Sequence, residues 1–299
     1  MFHSGELAAQ SLAGLTANSA AIRPFMPDQH REFFSLLSYI FIATADRRGW
    51  PIASVLAGTP GFVQSSDPTT LAVAASPIEG IAVAAEVGLL GLDLTNRRRN
   101  RANGEVTAVD GHGFSVTVRQ SFGNCPQYIQ TRTPAPRAAR PHAAESLAAL
   151  DEHARRMIAA ADTCFVASRS RADAANGGLD MSHRGGRPGF VDVRDDTLVI
   201  PDFRGNRYFN TLGNFLDDPR AGLLFIDFAS GDLLQLQGLV TIDWTADPAF
   251  DGAQRSWRLR LESAVRRRDA FPFSWTFGDY APTTRATGAW ATSASSARR

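Results

Sequence analysis

The sequence has 299 residues, of which 44% are apolar and 20% are charged, and its formal net charge is +1. This is enough material for one large or two ordinary domains, and the neutral balance gives no support to a nucleic-acid or anionic-membrane partner. No lysine occurs in the sequence, so any phosphate site must be built from arginine side chains, hydroxyl groups or backbone N–H groups.

The sequence shows no targeting or metal-binding signal. The N-terminal stretch lacks the basic and apolar regions of a signal peptide, and no apolar run is long enough for a membrane span. The two cysteines, Cys125 and Cys164, have neither disulfide-framework nor metal-ligand spacing. We therefore expect a cytoplasmic protein without a membrane partner or a metal site.

The first half of the chain predicts one helix and a series of short strands. The helix covers residues 27–37 and is introduced by Pro27, a residue type favoured at helix starts. Runs rich in β-formers, separated by Gly, Asp and Pro turns, predict strands at residues 39–44, 53–57, 70–74 and 114–118. Residues 131–142 are rich in Pro and Arg and are the predicted linker.

The second half repeats this order of elements. Helices are predicted over residues 143–161, where apolar positions recur with helical spacing, and over residues 206–216, before Pro219. Strands are predicted at residues 164–168, 197–200, 222–228 and 233–242. Residues 251–268 are predicted to be helical and are followed by an aromatic cluster.

Short motifs of the first half recur in the second half in the same order, which indicates a duplication. The pairs are Phe41-Ile42-Ala43 with Phe165-Val166-Ala167, Pro60-Gly61-Phe62-Val63 with Pro188-Gly189-Phe190-Val191, Gly88-Leu89-Leu90 with Gly222-Leu223-Leu224, and Gly104-Glu105-Val106-Thr107 with Gly238-Leu239-Val240-Thr241. Closely spaced short strands favour an antiparallel barrel in each copy. The predicted domains are residues 1–135, residues 143–245 and a helical and aromatic extension over residues 246–299.

The second copy differs from the first in two polar segments that point to an anion site. Where the first copy has small apolar residues, the second has Ser182, His183 and Arg184. After its next strand the second copy carries Arg, Gly, Asn and Arg at positions 204–207. Guanidinium groups, hydroxyls and backbone N–H groups exposed at glycine are donors that bind phosphate, and a helix starting at this point would add free N–H groups.

These segments, together with the later Asp218-Pro219-Arg220-Ala221-Gly222-Leu223-Leu224-Phe225 run, resemble the pyridoxamine 5′-phosphate oxidase-like FMN-binding split-barrel family. The resemblance covers most of residues 33–244 and is best in the second copy. It implies a mainly β fold with flanking helices (α+β), built as two tandem FMN-binding split β-barrels. It also implies FMN as cofactor and a homodimer with the flavin between barrels, although a duplicated chain could form that cleft alone.

The resemblance assigns cofactor contacts to specific positions of the second copy. These are Met181, Ser182, His183, Arg184, Asp202, Arg204, Asn206, Arg207 and Asn214. The phosphate-binding lysine of the family has no counterpart in this lysine-free chain, so an arginine must replace it. His183 is the candidate catalytic residue because it is the best-placed titratable group; the alternative is a histidine that only hydrogen-bonds the cofactor.

In the family, a polar side chain from a partner barrel faces the flavin, and the strand that would carry it occurs twice in this chain. Alternation places Gln235 and Gln237 on one face of the second copy's strand, and Arg97, Arg99, Arg101 and Asn103 on one face of the first copy's strand. We hypothesise that one of these arginines, Arg99 or Arg101, reaches the flavin edge or the phosphate at the second copy's site, across a pseudo-two-fold axis between the barrels. The alternative is a solvated basic face or a nucleic-acid strip, which the neutral net charge and the lack of interleaved aromatic residues disfavour.

Two functions follow from the resemblance. The first is an FMN-dependent oxidase or reductase that acts on an unidentified small-molecule substrate, with NAD(P)H or a separate protein as electron donor. The second is a non-catalytic flavin-binding or carrier module, or a barrel that binds another cofactor such as haem. Because the cofactor carries the redox chemistry, the residues alone do not choose between these functions.

Overall fold

The computed structural model describes residues 2–15, 21–171, 174, 176–248 and 250–290. The helices are α1 (Ser4–Leu12), α2 (Asp28–Leu36), α3 (Glu152–Ala160), α4 (Asn210–Asp217) and α5 (Pro282–Arg285). The strands of the first half are β1 (Tyr39–Ala45), β2 (Pro51–Ala57), β3 (Val63–Gln64), β4 (Thr70–Val73), β5 (Glu86–Asp93), β6 (Arg98–Val109), β7 (Phe114–Gly123) and β8 (Arg132–Pro136). Those of the second half are β9 (Glu145–Leu147), β10 (Thr163–Arg169), β11 (Leu179–Gly185), β12 (Asp192–Arg194), β13 (Thr197–Phe203), β14 (Arg220–Ile226), β15 (Leu233–Asp243), β16 (Ala253–Arg267) and β17 (Phe273–Phe277).

Two antiparallel sheets have the same topology. The first has the strand order β2-β1-β5-β6-β7-β4-β3, and the second has β11-β10-β14-β15-β16-β13-β12, so each strand of one sheet has a counterpart in the other. β9 is added to the second sheet beside β16, and β8 pairs with β17 outside both sheets. The chain is therefore an α+β protein made of two tandem split barrels, as the sequence predicts.

The two barrels pack together around a pseudo-two-fold axis. The rings of Phe41 and Phe165, which occupy matching positions of the repeat, are stacked with centroids 3.6 Å apart and an interplanar angle of 15°. Each barrel has its own buried apolar cluster, and a third cluster containing both rings fills the space between the barrels. Contact between equivalent residues is what a two-fold interface requires, so the duplication reproduces a dimer-like arrangement within one chain.

The repeated glycines Gly88 and Gly222 explain how closely the barrels approach. A Cβ atom on Gly88 would lie 2.7 Å from the Cα of Asp180, and one on Gly222 would lie 2.5 Å from the carbonyl oxygen of Pro51. Both contacts are with backbone of the opposite barrel, which cannot give way without moving a strand. Glycine at these two positions therefore lets β5 pack on β11 and β14 pack on β2.

The predicted helix over residues 251–268 is wrong, since this segment forms the long strand β16. Trp257 and Leu259 are buried, whereas Arg258 and Arg260 are exposed, which is the two-residue alternation of a strand. The sequence was misassigned because the segment is rich in Arg, Leu, Ala and Glu, which are strong helix formers. The second sheet consequently continues beyond residue 245, where the second copy was predicted to end.

Three other predicted boundaries differ from the structure. α3 starts only at Glu152, because the side chain of Asp151 caps it by accepting from the N–H of Ala154 at 2.8 Å, and residues 145–147 form β9. α4 starts at Asn210 rather than near residue 206, because Arg207 and Phe209 both have a left-handed φ of 62°. Residues 132–136 of the predicted linker form β8.

The helix predicted before the first barrel is confirmed as α2. α1 was not predicted. Within the described part of the chain, every helix is too short or too polar to span a bilayer.

Candidate anion site between the two barrels

A cleft lies where β6 of the first barrel faces β11 and β13 of the second. Its lining includes five arginines, four on strands (Arg99, Arg101, Arg184 and Arg255) and Arg207 in a loop, and we call it the arginine cleft. It encloses about 110 Å³. Because both barrels contribute walls, the cleft is formed within a single chain.

Arg101 crosses from the first barrel to the second and binds two side chains of β11. Its Nη1 donates to Oδ2 of Asp180 at 2.6 Å, and its Nη2 donates to Oγ of Ser182 at 2.7 Å. Asn103 on the same face of β6 donates to Oδ1 of Asp180 at 3.1 Å. All four side chains are buried, so this ion pair and its hydrogen bonds join the barrels inside the protein. Arg97 precedes β6 with a φ of 64° and instead donates to the carbonyl of Ile129.

His183 is held neutral beside Arg99. Burial, together with the charges of Arg99 and Arg184, lowers the pKa of His183 well below its usual value. The Nη1 of Arg99 lies 3.3 Å from Nδ1 of His183, and since a guanidinium can only donate, Nδ1 accepts and the proton lies on Nε2. Within the described residues, this buried Nε2 has no hydrogen-bond partner, so a residue that lines the cleft has an unused donor.

The charges in the arginine cleft do not balance. Among the described residues, the only carboxylates paired with the four strand arginines are Asp180, bound by Arg101, and Asp202, which lies 3.2 Å from Arg255 and 3.8 Å from Arg184. Burial also raises the pKa of Asp202. Burial and the charges of Arg101 and Arg184 lower the pKa of Arg99 to about 9. Uncompensated guanidinium groups in a buried cleft favour a bound anion.

The mouth of the cleft is formed by one segment from each copy. Tyr128 of the first copy stacks on Phe203 of the second with ring centroids 5.0 Å apart, and its hydroxyl donates to the carbonyl of Arg204 at 3.0 Å. Gly205 and Arg207 line the cleft beside this contact. The loop after β13 is thus held beside the cleft by Tyr128.

The structure brings together many, though not all, of the predicted site residues. Those lining the cleft or bound to a residue that lines it are Arg99, Arg101, Ser182, His183, Arg184, Asp202, Asn206 and Arg207. Those elsewhere are Met181 in the core between the barrels, Asn214 under α1, Arg204 at the surface, and Gln235 and Gln237 in a different cleft. Gln235 and Gln237 lie on β15, which is the repeat counterpart of β6. Because the pseudo-two-fold axis relates these two strands, each faces the opposite barrel on a different side of the interface.

Sequence reasoning missed part of the arginine cleft. The missed lining residues include Tyr128, Asn210, Thr211 and Arg255. Arg255 was missed because its segment was taken for a helix; a test of two-residue alternation would have placed it on a strand. Asn210 and Thr211 lie in the first turn of α4, whose start was placed too early. No local signal predicts that Tyr128, from the other copy, meets the loop after β13.

A buried carboxyl group from α1 is connected to the cleft. Asn210 accepts from Nη1 of Arg101 at 3.4 Å and donates to Oε1 of Glu6. Glu6 also accepts from the backbone N–H of His3 at 2.8 Å. Burial raises the pKa of Glu6 from 4.5 to about 7, since these hydrogen bonds only partly offset the loss of water. Glu6 is therefore protonated in the folded protein below neutral pH.

We expect Glu6 to make the protein less stable as pH rises from about 5 to 7. In this range the unfolded chain has lost the proton that folded Glu6 still holds, so the free energy of unfolding falls with pH, by about 2 kcal/mol in total. Replacement with Gln should remove this part of the slope in urea unfolding measured at several pH values. The matched control is Glu152→Gln, at an exposed position; an E6Q slope equal to that of the control would show that Glu6 titrates normally.

Several solved structures are similar to part of this chain. No family model and no curated protein matches the sequence. Three solved structures that resemble it cover less than half of the chain. They are HupZ from Group A Streptococcus (11% identity over 38% of this chain and 91% of that chain, TM-score 0.30), an FAD-binding protein from Mesorhizobium loti (11%, 42% and 99%, 0.29) and a putative 5-nitroimidazole antibiotic resistance protein from Bacteroides thetaiotaomicron (10%, 47% and 95%, 0.30). At these values the likenesses say nothing about ligand or activity.

Proposed function

We propose that the arginine cleft binds FMN through the phosphate group of the cofactor and that the chain is a flavoprotein. The observation that carries the proposal is the surplus of guanidinium groups, buried or half-buried between the two barrels, over carboxylates. A phosphate supplies the missing negative charge and accepts several hydrogen bonds at once. The resemblance of the segments around Ser182 and Asn206 to the FMN-binding split-barrel family supports FMN over other phosphate compounds.

The size of the cleft limits how the cofactor would fit. The enclosed space of about 110 Å³ suits a phosphate group and is smaller than the ~300–1,000 Å³ of sites that enclose whole ligands. The ring system would therefore belong in the open part of the cleft, whose wall includes Tyr128 and Phe203. A haem, whose ring system is larger still, fits the enclosed space less well than a phosphate does.

The side chains of the cleft are suited to binding and orientation rather than to proton transfer. When bound, FMN would supply the electron or hydride transfer. Arg99 and Arg101 would hold the phosphate charge, and His183 would donate a hydrogen bond from Nε2. Because burial and the neighbouring arginines keep the pKa of His183 well below its usual value, we assign this residue to binding and not to acid–base catalysis. An oxidase or reductase activity would then depend on how the substrate meets the cofactor.

The proposal is tested by absorbance of the purified protein titrated with FMN, followed by NADH or NADPH under anaerobic conditions. Tight FMN binding is the expected result. Bleaching of the flavin bands would indicate an oxidoreductase that uses a nicotinamide donor, whereas binding without bleaching would favour a carrier role or another electron donor. A protein that takes up no FMN, although inorganic phosphate protects it against thermal unfolding, would limit the cleft to another anion and overturn the FMN proposal.

A further inference from the structure

The pseudo-two-fold axis generates a second cleft on the opposite side of the interface. It lies between β2 of the first barrel and β15 and β16 of the second, and we call it the sister cleft. It encloses about 660 Å³, which is within the ~300–1,000 Å³ of small-molecule sites. The sister cleft is thus much larger than the arginine cleft, although its strands β15 and β2 correspond to β6 and β11 of the arginine cleft.

Strand pairing shows which residues of the two clefts correspond. Leu90 pairs with Arg101, and its repeat counterpart Leu224 pairs with Gln235. Phe41 pairs with Val55, and its counterpart Phe165 pairs with His183. By the same registers, the charged or titratable residues that β6 and β11 bring to the arginine cleft and their counterparts on β15 and β2 are Arg99 and Leu233, Arg101 and Gln235, Asp180 and Ile52, His183 and Val55, and Arg184 and Leu56. Every ionisable group in this comparison is replaced by an uncharged one.

The amide side chains of the sister cleft bind its own walls. The Nε2 of Gln235 donates to Oγ of Ser54 and to the carbonyl of Ala53, both at 2.8 Å. The hydrogen bond from Gln235 to Ser54 is the counterpart of the bond from Arg101 to Ser182 in the arginine cleft. Gln237 donates to the carbonyl of Pro51 at 3.2 Å and accepts from Ser263 at 3.0 Å. The amides therefore close the seam between the barrels and leave no buried charge to be compensated.

The charged residues of the sister cleft stand at its rim. Asp46 and Arg48 pair with each other at 3.0 Å, and Glu79 and Arg267 are exposed. The Nε of Arg267 donates to Oε1 of Gln235 at 2.9 Å. Two acidic and two basic groups in contact with water give no strong preference for an ion of either sign.

We propose that the sister cleft is a second ligand site and that it takes an uncharged, largely apolar molecule of two or three rings. The volume suits such a ligand, and the walls formed by Ile52, Val55, Leu233 and Val265 supply apolar contact. A charged ligand would lose its hydration on entering the cleft and would find no unpaired group of opposite charge inside it. Its binding would therefore be unfavourable. The two clefts thus divide the duplicated interface into an anion site and a neutral-ligand site.

The experiment uses N-phenyl-1-naphthylamine, an uncharged fluorescent probe, with the full chain. We expect the probe to bind with enhanced emission, and Val55→Phe and Val265→Phe, which fill the cleft from opposite barrels, each to weaken binding at least tenfold. Both positions are only partly buried, so the larger rings can be placed without displacing the core, and near-UV circular dichroism checks that both variants fold. The control is Leu36→Phe, at a side chain that is 69% exposed.

Two results would overturn the proposal. One is failure of the probe to bind the wild-type chain; the other is equal binding by the folded V55F and V265F variants and the L36F control, which would mean that the probe binds elsewhere. Saturation of the arginine cleft with inorganic phosphate should leave probe affinity unchanged if the sites are separate, and competition would contradict a separate site. None of these outcomes depends on whether FMN binds, so this proposal and the proposed function can fail independently.

Discussion

Replacement of Arg101 with Gln is expected to weaken FMN binding by about 100-fold or more and to lower the free energy of unfolding by ~3–5 kcal/mol. The affinity falls because one of the guanidinium groups that attract the phosphate is lost. The stability falls because Asp180, which is 4% exposed, is left as a buried charge without its ion-pair partner. Gln is the appropriate substitution because the sister cleft has Gln235 at the same position. Isothermal titration with FMN and urea unfolding measure the two effects.

The paired variant Arg101→Gln with Asp180→Asn separates the two effects. It removes both charges, so most of the lost stability should return, whereas FMN affinity should recover only in part, because the charge balance is restored but the Arg101 donor is still absent. Arg119→Gln is the matched control, because Arg119 forms an exposed ion pair with Glu105 at 2.7 Å on the neighbouring strand of the same barrel. That change should alter neither quantity by more than about 0.5–1 kcal/mol. Unchanged FMN affinity in a folded R101Q variant would disprove the assignment of Arg101 to the phosphate.

Loss of the Arg132 side chain should also destabilise the protein, by ~3–5 kcal/mol. Arg132, the first residue of β8, donates from Nη2 to Oδ2 of Asp162 at 2.6 Å, and the two side chains are 9% and 5% exposed. The guanidinium also lies 4.1 Å from the ring centre of Phe228. Arg132→Ala would leave Asp162 buried and unpaired and would remove this contact, so β8 would be released from the second barrel.

The matched control for Arg132→Ala is Arg156→Ala. Arg156 pairs with Glu152 on the surface of α3, where the side chains are 63% and 86% exposed, so its loss should change the free energy of unfolding by less than about 0.5 kcal/mol. Urea unfolding with a fitted m-value measures both variants and detects any loss of two-state behaviour. A difference of less than about 1 kcal/mol between R132A and R156A would show that the buried pair contributes little.

The repeat was the most informative feature of the sequence. Gly88 and Gly222 recur because both positions meet the backbone of the opposite barrel, and Phe41 and Phe165 recur because they stack on the pseudo-two-fold axis. Each of these contacts determines the residue type at a single position, so the repeated residues can be recognised in the sequence. The homodimer implied by the family resemblance stays a prediction, because one chain already supplies both walls of each cleft.

The C-terminal part of the second barrel was not predicted correctly for a physical reason. In β16 one face packs on the core and the other carries Arg258 and Arg260 into water, and charged residues of this kind are also common on helices. Pairing with β13 and β15, which are distant in sequence, makes this segment a strand rather than a helix. Arg255 joined the arginine cleft only through that pairing.

By itself, the sequence determined the duplication, the mainly β architecture and the residue types of the proposed anion site, because these follow from short motifs, alternation and the absence of lysine. Only the tertiary structure decided that Arg99 and Arg101 face His183 and Ser182, whereas Gln235 and Gln237 face the other way. The reason is that a pseudo-two-fold axis sends equivalent strands to opposite sides of the interface, and no local pattern in the chain encodes the position of that axis.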